Sequence, residues 1–226
     1  YNVPGTQQLE VYYDGQDYSS LTATVNDKAG TATNATISNA GGTITFNDEY
    51  KAWTFGGTDP GPGVESTRTD TFIATMPSTF TGNQVHSVST WFRYEQTLSD
   101  DAIFSISPSS GETTNESIGV RLNEGSNHTL LYYHWSNDIK VNFPRQYPTA
   151  NTWYHLVVTY TGSITDEHRG KSVYINGELC PFVSETTSGE LNLDGGDQLQ
   201  LGRRNNGGKE FFGSIANFRL FSKALN

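Results

Sequence analysis

Trp153-Tyr-His-Leu-Val-Val-Thr-Tyr-Thr-Gly162, followed after a polar loop by Lys171-Ser-Val-Tyr-Ile-Asn-Gly-Glu-Leu179, is the stretch that decides the fold of this chain. In its first half Leu156, Val158 and Tyr160 alternate with His155, Val157 and Thr159, the period of two of a strand in a packed sheet. In its second half Val173 and Ile175 point one way and Tyr174 the other. The run ends on Asn176-Gly177, the pair that best tolerates the positive φ angles of a two-residue hairpin turn, so a partner strand through Leu179 is expected at once.

The same alternation extends outward. His86, Val88, Thr90, Phe92 and Tyr94 oppose Ser87, Ser89, Trp91 and Arg93, and aromatic residues on both sides place this strand mid-sheet. Ala102, Phe104 and Ile106, then Ile118, Val120 and Leu122, predict a hairpin. Residues 129–135 set Leu130, Tyr132 and His134 against Leu131, Tyr133 and Trp135. Shorter strands are expected near residues 9–13, 35–38, 43–46, 52–55, 70–74 and 182–186, with a last one over 211–221. Residues 56–63, with two prolines and glycine at half the positions, cannot sustain a ladder and read as a surface loop. These patterns predict an all-β chain, two antiparallel sheets stacked as a single-domain sandwich with marginal helix.

The ordered set of motifs resembles the laminin G-like domains of the concanavalin A-like lectin and glucanase superfamily. Trp153-Tyr-His with its Val-rich strand and Val173-Tyr-Ile-Asn-Gly-Glu178 carry the core of the likeness. Val88-Ser-Thr-Trp-Phe92 is similar to that family's first central strand, and Phe212-Gly-Ser-Ile-Ala-Asn-Phe-Arg-Leu-Phe221 to its closing strand. Leu9-Glu-Val-Tyr-Tyr-Asp-Gly15 and Trp53-Thr-Phe55 are similar to its opening. The resemblance implies a concanavalin A-like jelly roll.

Composition narrows the function. A net charge of −10 disfavours nucleic acid and anionic membrane surfaces, and no apolar run reaches the length of a membrane span. A single cysteine, Cys180, leaves no intramolecular disulfide. A start on Tyr1 with no signal peptide suggests a domain excised from a larger secreted, surface or virion protein. Three Asn-x-Ser/Thr sequons, at Asn34, Asn115 and Asn127, matter only if a eukaryotic secretory pathway makes the protein.

Chemistry is sparse. A glucan hydrolase would carry carboxylates two or three residues apart on one strand, and neither Glu-x-Asp nor its longer form occurs. No Gly-x-Ser-x-Gly elbow and no His-x-x-x-His spacing is present, so no catalytic residue is assigned. Many laminin G-like domains hold one Ca²⁺ at a sandwich rim. This chain departs from their pattern at Phe55-Gly-Gly57 and Gly213-Ser-Ile-Ala-Asn217, which leaves Asp14 and Asp59 as the candidate calcium ligands. Sugar binding needs an aromatic plate flanked by groups that meet hydroxyls, and Tyr132, His134, Trp135, Asn137 and Asp138 supply both, with Arg121, Tyr147 and Arg203 as candidates for the same side. Tyr132 and His134 are expected on a solvated face, Trp91 and Trp153 in the core. The expected function is therefore a non-catalytic, lectin-like carbohydrate-binding module. An interaction or spacer domain is the alternative, and a polysaccharide hydrolase or lyase a third reading.

Overall fold

The structure, a computed structural model, describes residues 8–56, 69–95, 100–122, 129–144, 148–205 and 208–225. Its strands run in chain order β1 (Leu9–Tyr13), β2 (Thr24–Val25), β3 (Ala35–Ser38), β4 (Ile44–Asn47), β5 (Ala52–Phe55), β6 (Thr71–Thr75), β7 (His86–Tyr94), β8 (Asp101–Ser107), β9 (Ile118–Leu122), β10 (Thr129–Tyr133), β11 (Asp138–Asn142), β12 (Tyr154–Tyr160), β13 (Lys171–Ile175), β14 (Glu178–Leu179), β15 (Phe182–Glu185), β16 (Gln198–Leu201) and β17 (Gly213–Phe221). Helix among the described residues is confined to two short 3₁₀ turns, Gly15–Asp17 and Glu167–Gly170.

Two antiparallel sheets result. The first is ordered β14-β13-β12-β7-β17-β5-β4, and the second β15-β11-β10-β9-β8-β16-β6-β3-β2. The deciding stretch forms as its pattern requires. β12 pairs β13 and β7 in unbroken register, and Asn176 and Gly177 turn the next hairpin at φ 52° and 80°. β7 lies mid-sheet between β12 and β17.

The opening strands join the first sheet through its last one. β5 pairs Gly213, Ser214 and Ile215, while β1 pairs residues 218–221 on the same edge of β17. Between these two partners β17 bulges at Ala216–Arg219, and Asn217 takes φ 57°. A bulge of this kind bends the strand and re-aims the side chain it carries.

One apolar cluster fills the space between the sheets, including Trp53, Phe55, Phe72, Val88, Phe92, Phe104, Val120, Leu130, Tyr132, Leu156, Val158 and Tyr160. Two expectations fail here. β8 does not keep a simple period of two, because a bulge between Ala102 and Phe104 turns Ile103 into the core as well. Neither Trp91 nor Trp153 is a core residue: Trp91 is 42% exposed on the outer face of β7, and Trp153, just before β12, is half-buried.

The outer face of the second sheet is covered over its middle strands, β8 to β10, whose residues are buried on both faces. Tyr133 lies over β9, where Gly119 makes room, since a Cβ there would sit 2.2 Å from the Tyr133 hydroxyl oxygen. That hydroxyl donates to Glu112 Oε1 at 2.5 Å, and the Glu112 side chain is fully buried beside Arg204. Asn115 N–H donates to the Trp135 carbonyl at 3.0 Å, fastening the same connecting segment across the sheet.

Candidate carbohydrate site

The outer face of the first sheet carries an open cleft of about 180 Å³. Five pieces of chain converge on it: Asp14 and Gln16 after β1, Tyr50 and Lys51 before β5, Trp91 of β7, Trp153 before β12, and Ala216 and Asn217 at the β17 bulge. The tandem seating of β1 and β5 on β17 brings the first two pieces together. Gly15 packs so closely on Lys51 that a Cβ would stand 2.0 Å from the Lys51 carbonyl oxygen, which fixes the floor at a position only glycine can fill.

Aromatic rings form the walls. Tyr50 is 42% exposed, like Trp91, and meets Trp153 edge-on at 5.8 Å. Trp91 stacks on His155 at 4.9 Å, and the His155 ring nitrogen Nε2 lies 2.9 Å from the Ser89 hydroxyl. Burial, then the charge of Arg219, lowers the His155 pKa and keeps the ring neutral. Behind Tyr50, the Arg93 guanidinium lies 5.7 Å from the ring centroid and donates to Asn151 Oδ1 at 2.8 Å. The plates are therefore held in place by partners beneath or beside them, leaving ring area free to stack against an apolar face.

Asp14 is not an open ligand. Its carboxylate accepts from Gln16 N–H at 3.1 Å, the Tyr12 hydroxyl at 2.9 Å and Lys28 Nζ at 3.1 Å. Burial opposes ionisation, but these donors outweigh it and hold the carboxyl below its usual range. A calcium ion here would have to displace the Lys28 ammonium. Among the described residues no group of three or more His, Cys, Asp or Glu side chains converges to hold a metal, and Asp59 lies outside the described residues.

The sugar-binding residues expected from sequence do not gather on a surface. Tyr132 and His134 are fully buried, facing the core rather than solvent. The Tyr132 hydroxyl lies 2.6 Å from His86 Nε2, and Asn137 is likewise fully buried. Arg121 is only 8% exposed, paired with Asp100 at 3.2 Å and lying over Tyr133. Trp135 lies beneath Arg204, Asp138 is largely buried with its carboxyl pKa raised by desolvation, and Arg203 donates to the Asp70 carbonyl at 3.4 Å. Tyr147 lies outside the described residues. The physical reason is coverage: β10 sits inside the second sheet, with the core against one face and the 108–117 connection against the other.

The residues that sequence reasoning missed are Tyr50, Trp91 and Trp153. Trp91 carried a legible signal, because its neighbours on the same face of β7 are Ser87, Ser89 and Arg93, the company of an outward position.

A family model described as the concanavalin A-like lectin/glucanases superfamily, of the third laminin G type, matches residues 67–226. The chain belongs to that family. The pairing of β1 and β5 with β17 extends the laminin G-like jelly roll to the strands before the matched region. No curated protein matches this laminin G-like chain in sequence. Among solved structures, domain 4 of AbnA, an extracellular arabinanase from Geobacillus stearothermophilus in complex with arabinotriose, is similar at a TM-score of 0.64 and 20% identity, with 97% of this chain and 94% of that one covered. A botulinum neurotoxin type C chain, from work on its entry through two ganglioside molecules, is similar at 0.61 and 14% identity; 98% of this chain matches 49% of that one, about half its length. Trypanosoma rangeli sialidase in complex with sialic acid is similar at 0.60 and 13%, with 97% of this chain matching 31% of that one. At these identities the likeness is one of fold.

Proposed function

We propose that the cleft of Tyr50, Trp91 and Trp153 binds a carbohydrate without turning it over. The observation that carries this reading is the convergence of three partly exposed aromatic side chains with Gln16, Asn217 and Asp14 in one cleft. Exposed plates beside the amide groups of Gln16 and Asn217 match the two faces of a sugar ring, one apolar and one lined with hydroxyls. The cleft is small beside pockets of about 300 Å³ or more that enclose a drug-sized ligand, so it suits one ring, with the rest of a chain running out over the open side. The glycans named with the arabinanase domain, the toxin and the sialidase support the class of ligand.

Binding rather than hydrolysis follows from the carboxylate count. Asp14 is the one carboxylate among the described residues lining the cleft, and cutting a glycosidic bond takes two. We place the module outside the cell as one part of a larger protein, in keeping with the extracellular arabinanase of which a similar domain is one part.

The test is a glycan array, run with and without EDTA, followed by calorimetry on the best ligand. Trp91→Ala is expected to weaken binding about tenfold or more, as loss of an aromatic anchor does, while the variant stays folded. Binding and melting temperature are both expected to be unchanged by EDTA, because Lys28 already occupies the Asp14 carboxylate. No glycan bound at millimolar concentration would overturn the reading in favour of a spacer or protein-interaction domain. New reducing ends released from a polysaccharide would overturn it in favour of an enzyme.

A further inference from the structure

A second site lies inside the sandwich, remote from the cleft in chemistry and in role. Asn137 sits in the turn between β10 and β11, shaped by Trp135 and Ser136 at φ 42° and 75°. Lys171 opens β13 in the other sheet, just after a 3₁₀ turn in which His168 and Arg169 take φ 51° and 57°. The two turns bring these side chains together where solvent does not reach, Asn137 at 0% and Lys171 at 1% exposure.

The contacts are specific. Lys171 Nζ lies 3.2 Å from Asn137 Oδ1, and Arg169 Nε donates to the same oxygen at 2.6 Å. Asn137 Nδ2 donates to the Gly189 carbonyl at 3.0 Å, which distinguishes the amide nitrogen from the oxygen, and Arg169 Nη2 is anchored on the Ser188 carbonyl at 2.7 Å. The lysine amine rests 5.3 Å from the Tyr160 ring centroid. An amine, an amide carbon and a cationic donor on the amide oxygen are thus assembled in a dry, rigid place.

We propose that Lys171 and Asn137 join in an intramolecular amide bond, formed by the folded chain itself, that ties the two sheets together covalently. Burial, and then the charge of Arg169, pushes the Lys171 ammonium down to about 7, so a large share of the amine is neutral and nucleophilic at neutral pH. A turn of the carboxamide plane presents Cγ to the Nζ lone pair. As the Nζ–Cγ bond forms, the carbonyl π pair moves onto Oδ1, where the Arg169 N–H meets the developing charge. The intermediate collapses with cleavage of the Cγ–Nδ2 bond, one proton passes from Nζ to Nδ2, and ammonia leaves. One C–N bond forms, one breaks, and nothing is oxidised or reduced. The product also relieves the cost of burying a lysine charge.

Intact-mass measurement of the wild-type protein decides the matter, with no variant needed. The expected mass is lower than that of the sequence by one ammonia, about 17 Da, and digestion should release a branched peptide containing both Asn137 and Lys171. Lys171→Arg and Asn137→Ala should each return the full mass of their sequences. Asn176-Gly177 and Asn206-Gly207 lose the same mass if they cyclise to a succinimide, so fragmentation must locate the loss. A wild-type mass equal to that of the sequence, or a loss of ammonia carried on a linear peptide, would overturn the proposal and leave Lys171 and Asn137 as a hydrogen-bonded pair.

Discussion

Trp53→Ala is expected to cost about 3–5 kcal/mol of stability, a large fraction of what a domain of this kind possesses. Trp53 is 1% exposed in β5, its ring 5.2 Å from Phe72, 6.2 Å from Phe46 and 6.4 Å from Tyr18. Its removal leaves a cavity bordered by rings from both sheets, which cannot collapse without moving β4 or β6. The same change at Trp91 removes a half-exposed ring whose main partner is His155, and should cost no more than about 1 kcal/mol. Urea unfolding measures both. The expected result is a large fall in midpoint at unchanged slope for Trp53→Ala and a small one for Trp91→Ala. Comparable losses at the two positions would mean that Trp91 is packed, and the cleft would lose its principal wall.

Acid should reveal the buried histidines. Burial, reinforced by the charge of Lys171 against a backbone hydrogen bond to Gln84, lowers the His86 pKa to about 4, and His134 is pushed well below its usual value by burial and by Lys171. In the unfolded chain both rings titrate near 6.5. Between these limits the unfolded state takes up protons that the folded state refuses, so stability present above about pH 6.5 is lost as pH falls toward 4. For His86 the gap is worth about 3 kcal/mol. Asp197 works in the opposite sense, because burial raises its carboxyl to about 6 and its protonation on acidification relieves a cost. Wild type must therefore be compared with a variant across the same pH range. His86→Phe removes the His86 contribution and leaves the carboxylates in place. Wild type should lose about 3 kcal/mol more than the variant between pH 7 and pH 4, beyond any constant offset from the broken Tyr132 contact. Parallel stability curves would show that His86 is protonated in the folded protein, with the Tyr132 hydroxyl accepting from it.

Much of the fold was legible before any coordinates. The alternation of Leu156, Val158 and Tyr160, the Asn176-Gly177 turn and the ordered family motifs determined strands, a hairpin and a laminin G-like sandwich, because period and turn chemistry are local properties of the backbone. The lack of paired carboxylates on any strand was equally plain from the sequence.

Only the tertiary structure decided which face of each strand is free. A period of two sorts side chains into two sets without saying which set meets solvent, and that depends on segments far away in the chain. For Tyr132 and Tyr133 the deciding segments are the opposite sheet and the connection that carries Glu112; for Trp91 it is that none of the described segments covers its place on the outer face of β7. The cleft needs residues 14, 16, 50–51, 91, 153 and 216–217 at once, and Lys171 finds Asn137 from 34 positions away. Such meetings are made by the packing of one sheet on another and by the tandem seating of β1 and β5 on β17, which no local pattern encodes.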